Sequence, residues 1–181
     1  MTSAELWDAG GLGVAGDVRP VVTAPDQVLA TPAATVDPRD PEIVRLAADL
    51  IATMRVSPGC VGLAAPLIGV PARVFAVDVT GHPKAKITHG TFVLCNAEVI
   101  EASQWQKARE GCMSVPDLTG DVKRAGRVVV MGHLPGGGEV QVTTDAFEAR
   151  AVQHEIDHCA GLLFLDRVAG AHAVYTRKVY L

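Results

Sequence analysis

His154, Glu155 and His158 carry the densest chemistry in the chain, within Gln153-His154-Glu155-Ile156-Asp157-His158. At 3.6 residues per turn the two imidazoles, four apart, share one helical face, with Glu155 beside them and able to reach what they hold. Such a face suits a divalent cation. A cation held for catalysis usually takes three protein ligands and leaves one position for water, so a third donor is required. Downstream, the pattern His-Glu-x-x-His-x-x-Gly-x-x-His finds Gly161 in place but Phe164 where the third histidine belongs. No glutamate follows Ile156 to serve from a later helix. Asp166 and His172 remain downstream, the first about three turns beyond His154 and too far along the same helix to share its ion. Upstream, Glu110-Gly111-Cys112-Met113-Ser114-Val115-Pro116 offers the better candidate. A thiolate suits iron or zinc, and a strand-like segment bounded by Gly111 and Pro116 can present Cys112 to a facing helix.

The ligand helix is predicted over roughly residues 145–159, with Ala146, Ala149, Val152 and Ile156 on or near its apolar face. An earlier helix opens at Pro41 as a first-turn residue, with Ile43, Val44, Leu46, Ala47, Leu50, Ile51 and Met54 spaced for one face and Ser57-Pro58-Gly59 ending it. Residues 73–79, 91–96 and 97–101 read as short strands, and residues 126–132 and 140–142 flank the hairpin signal Pro135-Gly136-Gly137-Gly138. Short strands around one late helix define an α+β domain. Residues 1–18, with Glu5, Asp8 and Asp17, four glycines and no basic side chain, fit neither a secretory nor an organelle-targeting pattern. They are read as an N-terminal extension to a single catalytic domain over residues 19–181.

A chain of 181 residues can bury a core without staples. Its net charge is −4, and its 16 basic residues are dispersed, which argues against nucleic acid as the main ligand. No apolar run reaches the ~18 residues a membrane span needs. Cys60, Cys95, Cys112 and Cys159 lack framework spacing, so a reducing compartment such as the cytoplasm is expected. Cys95 and Cys159 read as packing residues, and His82, His89 and His133 as solvent-facing.

Glu110-Gly111-Cys112-x-Ser114 and Gln153-His154-Glu155-x-Asp157-His158 resemble the peptide deformylase family. A third signature, Gly62-Leu63-Ala64-Ala65-Pro66, stands upstream in the expected order, and the resemblance runs from about Arg19 to about Val168. It implies a hydrolase that releases formate from the N-terminal formyl-methionine of nascent, ribosome-associated peptides. The implied ligands are Cys112, His154 and His158, around one divalent ion: Fe(II) natively, with zinc, nickel or cobalt able to substitute. Glu155 would be the general base. Glu110 and Gln153 would orient the ligands, and Asp157 would face away from the ion into a helix-fixing salt bridge. For the peptide, the resemblance points to Val61, Gly62 and Gly111 as hydrogen-bonding edges, to Val61, Phe147 and Ala151 for the methionine pocket, and to Arg124 near the peptide backbone.

The first motif departs from the family at both ends. Cys60 replaces a glycine, adding a side chain beside the pocket, and Leu67 replaces the glutamine whose amide joins the backbone N–H of Met113 as an oxyanion donor. Loss of one such donor typically costs roughly 10² to 10³ in rate, so a slowed hydrolase is expected. Two other readings stand beside it: a related hydrolase for a different N-acyl or N-formyl substrate, and a homologue that binds without turnover. Oligomeric state is not legible in the sequence.

Overall fold

The computed structural model describes residues 12–178. Helix α1 (Pro41–Val56) starts where Asp40 accepts the backbone N–H of Glu42 and Pro41 takes the first turn, where its missing N–H costs nothing. Its buried face carries Leu46, Ala47, Leu50, Ile51 and Met54, as the 3.6-residue spacing predicts. Helix α2 (Ala146–Cys159) follows strand β5 directly, through Ala146 at φ +50°. It ends before Gly161, whose φ of +76° and close approach to the Thr31 carbonyl carbon leave no space for a side chain.

The strands are β1 (Gly62–Ala64), β2 (Val74–Val77), β3 (Phe92–Cys112), β4 (Val115–His133), β5 (Glu139–Asp145) and β6 (Val174–Thr176). They form one antiparallel sheet in the order β1-β2-β3-β4-β5, with β6 on β4. Phe75, Phe92, Leu50, Leu63 and Leu94 fill the space between sheet and helices. The α+β architecture is the one the sequence predicts.

The separate strands at 91–96 and 97–101 are one strand of 21 residues, paired along its length with a β4 of 19. The sequence hides this because residues 98–107 of β3 are exposed throughout and show no alternating apolar face. Their backbone ladder to β4, which sequence periodicity does not register, holds them. A register shift between Gly111 and Cys112 re-aims the end of β3, leaving Gly111 exposed and Cys112 buried.

The first eleven residues of the extension lie outside the described part. Its remainder packs on α1: the Asp17 N–H donates to the Asp49 carboxylate, and a Cβ at Gly16 would strike the Ala48 carbonyl.

Two of the three histidines read as solvent-facing are engaged. His82 stacks on Phe147 with ring centroids 3.7 Å apart. His89 holds the buried Glu148 carboxylate through its backbone N–H (2.8 Å) and its ring Nδ1 (2.6 Å), and the Thr144 hydroxyl donates to the same carboxylate. The hydrogen bond to Glu148 raises the His89 pKa, against the opposing effect of burial. A raised folded-state pKa means the stabilisation is complete below the unfolded value near ~6.5 and is lost as pH rises through the folded value. Denaturant melts across this range are expected to show His89→Gln costing more stability at acidic pH than at alkaline pH; equal cost at both ends would rule the ion pair out as the source.

Candidate active site

Helix α2 crosses the sheet over β4, β1 and β2, and its inward face brings His154 and His158 toward the end of β3. Gln153 fixes this placement, exchanging two hydrogen bonds with the Ala125 backbone of β4, at 3.1 and 2.8 Å. It clamps helix to strand rather than orienting a ligand, because both ends of its amide are taken by the Ala125 backbone.

Cys112, His154 and His158 converge, each offering a ligand atom within 4.8 Å of the others. Asp166 instead accepts the Leu163 N–H in an exposed turn, and His172 is exposed near the C-terminal end, so neither joins the cluster. The His154 and His158 rings stand 4.6 Å apart and nearly perpendicular. Cys112 Sγ and His158 Nε2 are 3.4 Å apart. A tetrahedral ion with bonds of ~2.3 Å to sulfur and ~2.1 Å to nitrogen sets such a pair about 3.6 Å apart. One sulfur and two imidazoles also form a donor set that iron, zinc, nickel and cobalt accept. The residues therefore fit a single divalent cation.

Glu110, at the end of β3, orders the surroundings. Its carboxylate accepts from Arg124 Nε (2.7 Å) and Nη2 (3.0 Å), from Arg150 Nη1 (2.6 Å), and pairs with His154 Nδ1 (3.0 Å). Burial would raise its pKa, but the hydrogen bonds and charges of His154 and Arg124 outweigh burial and bring it to about 2. With Nδ1 so engaged, His154 presents Nε2 to the cluster. Burial also opposes charge on His154, yet hydrogen bonds to Cys112 and Glu110 pull its pKa up to about 10 in the metal-free chain. Burial takes His158 the other way, well below the ordinary histidine value. Asp157 accepts from Arg124 Nη1 and twice from Arg167, fixing the helix on its far side as the sequence predicts.

Glu155 lies beside the cluster against Gly62. A Cβ at Gly62 would stand 2.6 Å from Glu155 Oε1, so a side chain there would force the carboxylate to move. Glu155 Oε2 is buried with no hydrogen-bond partner among the described residues. Burial raises the Glu155 pKa to about 7, with the charges of His154 and Arg124 opposing. A buried carboxylate poised near neutrality, with one oxygen unengaged beside three metal donors, is equipped to exchange protons with a water.

A cavity of about 240 Å³ opens onto this cluster. Val61, Gly62, Gly111, Met113, Phe147 and Ala151 line it, as does Leu67, 2% exposed. Cys60 also faces it, its thiol donating to the Gly62 carbonyl at 3.1 Å; burial pushes its pKa up to about 12, so it is a neutral thiol. Arg124 is absent from this lining. It is 3% exposed, and Glu110 and Asp157 take up its guanidinium, so the expected contact with peptide backbone gives way to a structural one. Three arginines of the lining were not picked out from sequence: Arg109, Arg150 and Arg177. Arg150 was discoverable, lying four residues before His154 on the same helical face. Arg109 and Arg177 carried no such signal.

Two imidazoles and a sulfur beside a buried carboxylate, at the floor of a cleft in an α+β fold, define a metallohydrolase. A profile of the family described as polypeptide deformylase matches residues 18–173. A peptide deformylase of Desulforudis audaxviator is 42% identical over 160 residues, covering 87% of this chain and 96% of that protein. The crystal structure of the Ehrlichia chaffeensis peptide deformylase superposes with a TM-score of 0.78 at 30% identity, covering 84% of this chain and 89% of that one. A Met-Ala-Ser-bound class I type b peptide deformylase of Acinetobacter baumannii gives 0.76 at 34% identity, covering 84% and 99%. The chain belongs to the polypeptide deformylase family, hydrolases that remove the N-formyl group from nascent peptides.

Two substitutions test the supporting geometry. Glu110→Gln is expected to weaken metal binding about 10- to 100-fold in chelator competition, because the His154 ring loses its anionic anchor. Gly62→Ala should displace Glu155 and lower deformylation by about 10²-fold or more while metal content by elemental analysis stays the same; full activity in that variant would show that Glu155 tolerates another seat.

Proposed function

We propose that Cys112, His154 and His158 hold one divalent cation, Fe(II) in the cell and replaceable by zinc, nickel or cobalt, and that Glu155 is the general base of a slowed deformylation. The observation that carries this reading is the convergence of the three donors beside the unengaged Oε2 of Glu155. Held by Cys112, His154 and His158, the ion would supply Lewis-acid polarisation of the formyl carbonyl and acidification of a water.

The chain's own residues do the rest. Glu155 takes the water's proton and passes it to the departing amine, while Gly62 keeps its carboxylate seated. The backbone N–H of Met113 donates to the carbonyl oxygen as that oxygen gains charge. Leu67 brings only apolar surface to the wall where the family carries a glutamine, so the oxyanion has one protein donor in place of two. The methionine side chain enters between Val61, Phe147 and Ala151, and the peptide lies extended along Val61, Gly62 and Gly111, a mode that reads backbone and tolerates varied sequence. The tripeptide named with the Acinetobacter baumannii relative is in keeping with a peptide in this cleft. Cys60 already occupies the Gly62 carbonyl, which leaves that edge weaker for peptide pairing.

The catalytic domain is assigned to residues 19–181. Nascent chains on the ribosome are the proposed substrates and the cytoplasm the proposed compartment, supported by the family's chemistry. No helix among the described residues is long and apolar enough to cross a membrane.

Formate release from a formyl-Met peptide by anaerobically purified, iron-loaded protein tests the assignment. Glu155→Ala is expected to lower the rate by about 10²- to 10⁴-fold at unchanged metal content. Leu67→Gln should raise it by roughly 10- to 10³-fold as the second donor returns. A Leu67→Gln protein no faster than its parent would refute the slowed-oxyanion account.

A further inference from the structure

Of the three arginines on the cavity wall, two are spoken for. Arg150 donates to Glu110 and to the carbonyls of Gln106 and Val122. Arg109 pairs with Asp121 at 2.6 Å, and its guanidinium lies 3.6 Å from the centroid of the Tyr175 ring. Arg177 is different. It arrives from the segment after β6, where its backbone N–H donates to the Asp117 carbonyl at 2.8 Å. Its guanidinium lies beside Gly111, where a Cβ would collide with Nη2, and donates through Nη2 to the Cys112 carbonyl at 3.3 Å. Among the described residues it makes no ion pair, although it is partly buried and lines the cavity. A guanidinium has five N–H donors in a fork that matches a carboxylate, and this one has a single neutral acceptor.

The place of this cation decides what it can read. Cys112 contributes its sulfur to the proposed ion, which marks the formyl end of a substrate, and its carbonyl to Arg177. An extended peptide advances about 3.3 Å per residue. The guanidinium therefore stands beside the residues that immediately follow the methionine, on the Gly111 edge. The other charges nearby do not supply its counterion: Glu110 is committed to Arg124, Arg150 and His154, and Asp121 to Arg109.

We propose that Arg177 is a specificity-determining residue that binds a substrate carboxylate at the second or third position, so that the enzyme favours formyl-methionyl peptides with an early acidic side chain. This rests on the deformylase reading above and adds a substrate class to it. Either a side chain or the terminus of a short peptide could supply the carboxylate, and a nascent chain offers only the side chain.

The test uses iron-loaded, full-length protein and C-terminally amidated peptides, formyl-Met-Asp-Ala and formyl-Met-Ala-Asp, against their Asn and Lys counterparts. Amidation removes the terminal carboxylate; a preference seen only with free-acid peptides would overturn the side-chain assignment. Wild type is expected to show kcat/KM about 3- to 10-fold higher for Asp than for Asn at one of the two positions, mainly through KM. This preference should shrink as salt is raised. Arg177→Gln should bring the ratio near one, Arg177→Lys should keep part of it, and Arg177→Glu should turn the preference toward Lys. An Asp-to-Asn ratio the same in wild type and Arg177→Gln overturns the proposal. So does an Arg177→Gln protein slowed equally on every peptide, since that result assigns Arg177 only to holding the Cys112 carbonyl. If metal-loaded wild type hydrolyses none of the formyl peptides, the deformylase reading has failed separately. Calorimetric binding of amidated Met-Ala-Asp and Met-Asp-Ala against their Asn forms then decides the carboxylate site, with tighter Asp binding lost in Arg177→Gln as the supporting result and equal binding as the refuting one.

Discussion

The site depends on one buried carboxylate that several cations share. Glu110 accepts from Arg124 and Arg150 and anchors His154. Isolated, any of these charges would be costly away from water; together they are mutually neutralised and hydrogen-bonded. Arg124 extends the network to Asp157 and thence to Arg167, so the proposed ligand helix is held on both sides of its metal-facing stripe. The network also joins β3, β4 and α2, the three elements that must meet for a sulfur from one to face imidazoles from another. Positioning and electrostatics are thus a single constraint: what orients His154 is also what keeps the hairpin against the helix.

Cys60 and Leu67, read from the sequence as departures from the family pattern, lie on the other wall of the cleft. Gly62 is retained, and a side chain there would displace the carboxylate of the proposed base. Its neighbour Cys60 sets a neutral thiol on the Gly62 carbonyl, and Leu67 presents hydrocarbon where a donor amide would stand. Both changes remove polar capacity from the substrate side while leaving the cluster of sulfur, imidazole and carboxylate intact. On the proposed mechanism the proton-transfer apparatus and the oxyanion apparatus are therefore separable, the first complete and the second reduced.

Local pattern was legible where periodicity and spacing encode it. The apolar stripe of α1, its proline start, the extent of α2 and the common face of His154 and His158 all follow from 3.6-residue geometry, because neighbours along a helix are neighbours in sequence. The long β3–β4 ribbon was not legible, since residues 98–107 have no buried face and are held by backbone bonds to a distant strand. Arg124 was misjudged for a related reason. Its match to a family position suggests a peptide contact, but whether an arginine meets substrate or a buried carboxylate depends on Glu110 and Asp157 arriving beside it.

The sequence alone determined which atoms could hold a cation and which could move a proton, because those capacities belong to residue types and to spacings within one helix. Tertiary structure decided which of them meet. It brought Cys112 from the end of β3 to α2 through a shift in strand register, and buried Glu110 between two guanidiniums and the His154 ring. It also set Arg177, from beyond β6, against Gly111 with no carboxylate partner among the described residues. Contacts between residues far apart in the chain are fixed by how sheet and helix pack, and no local pattern carries that information.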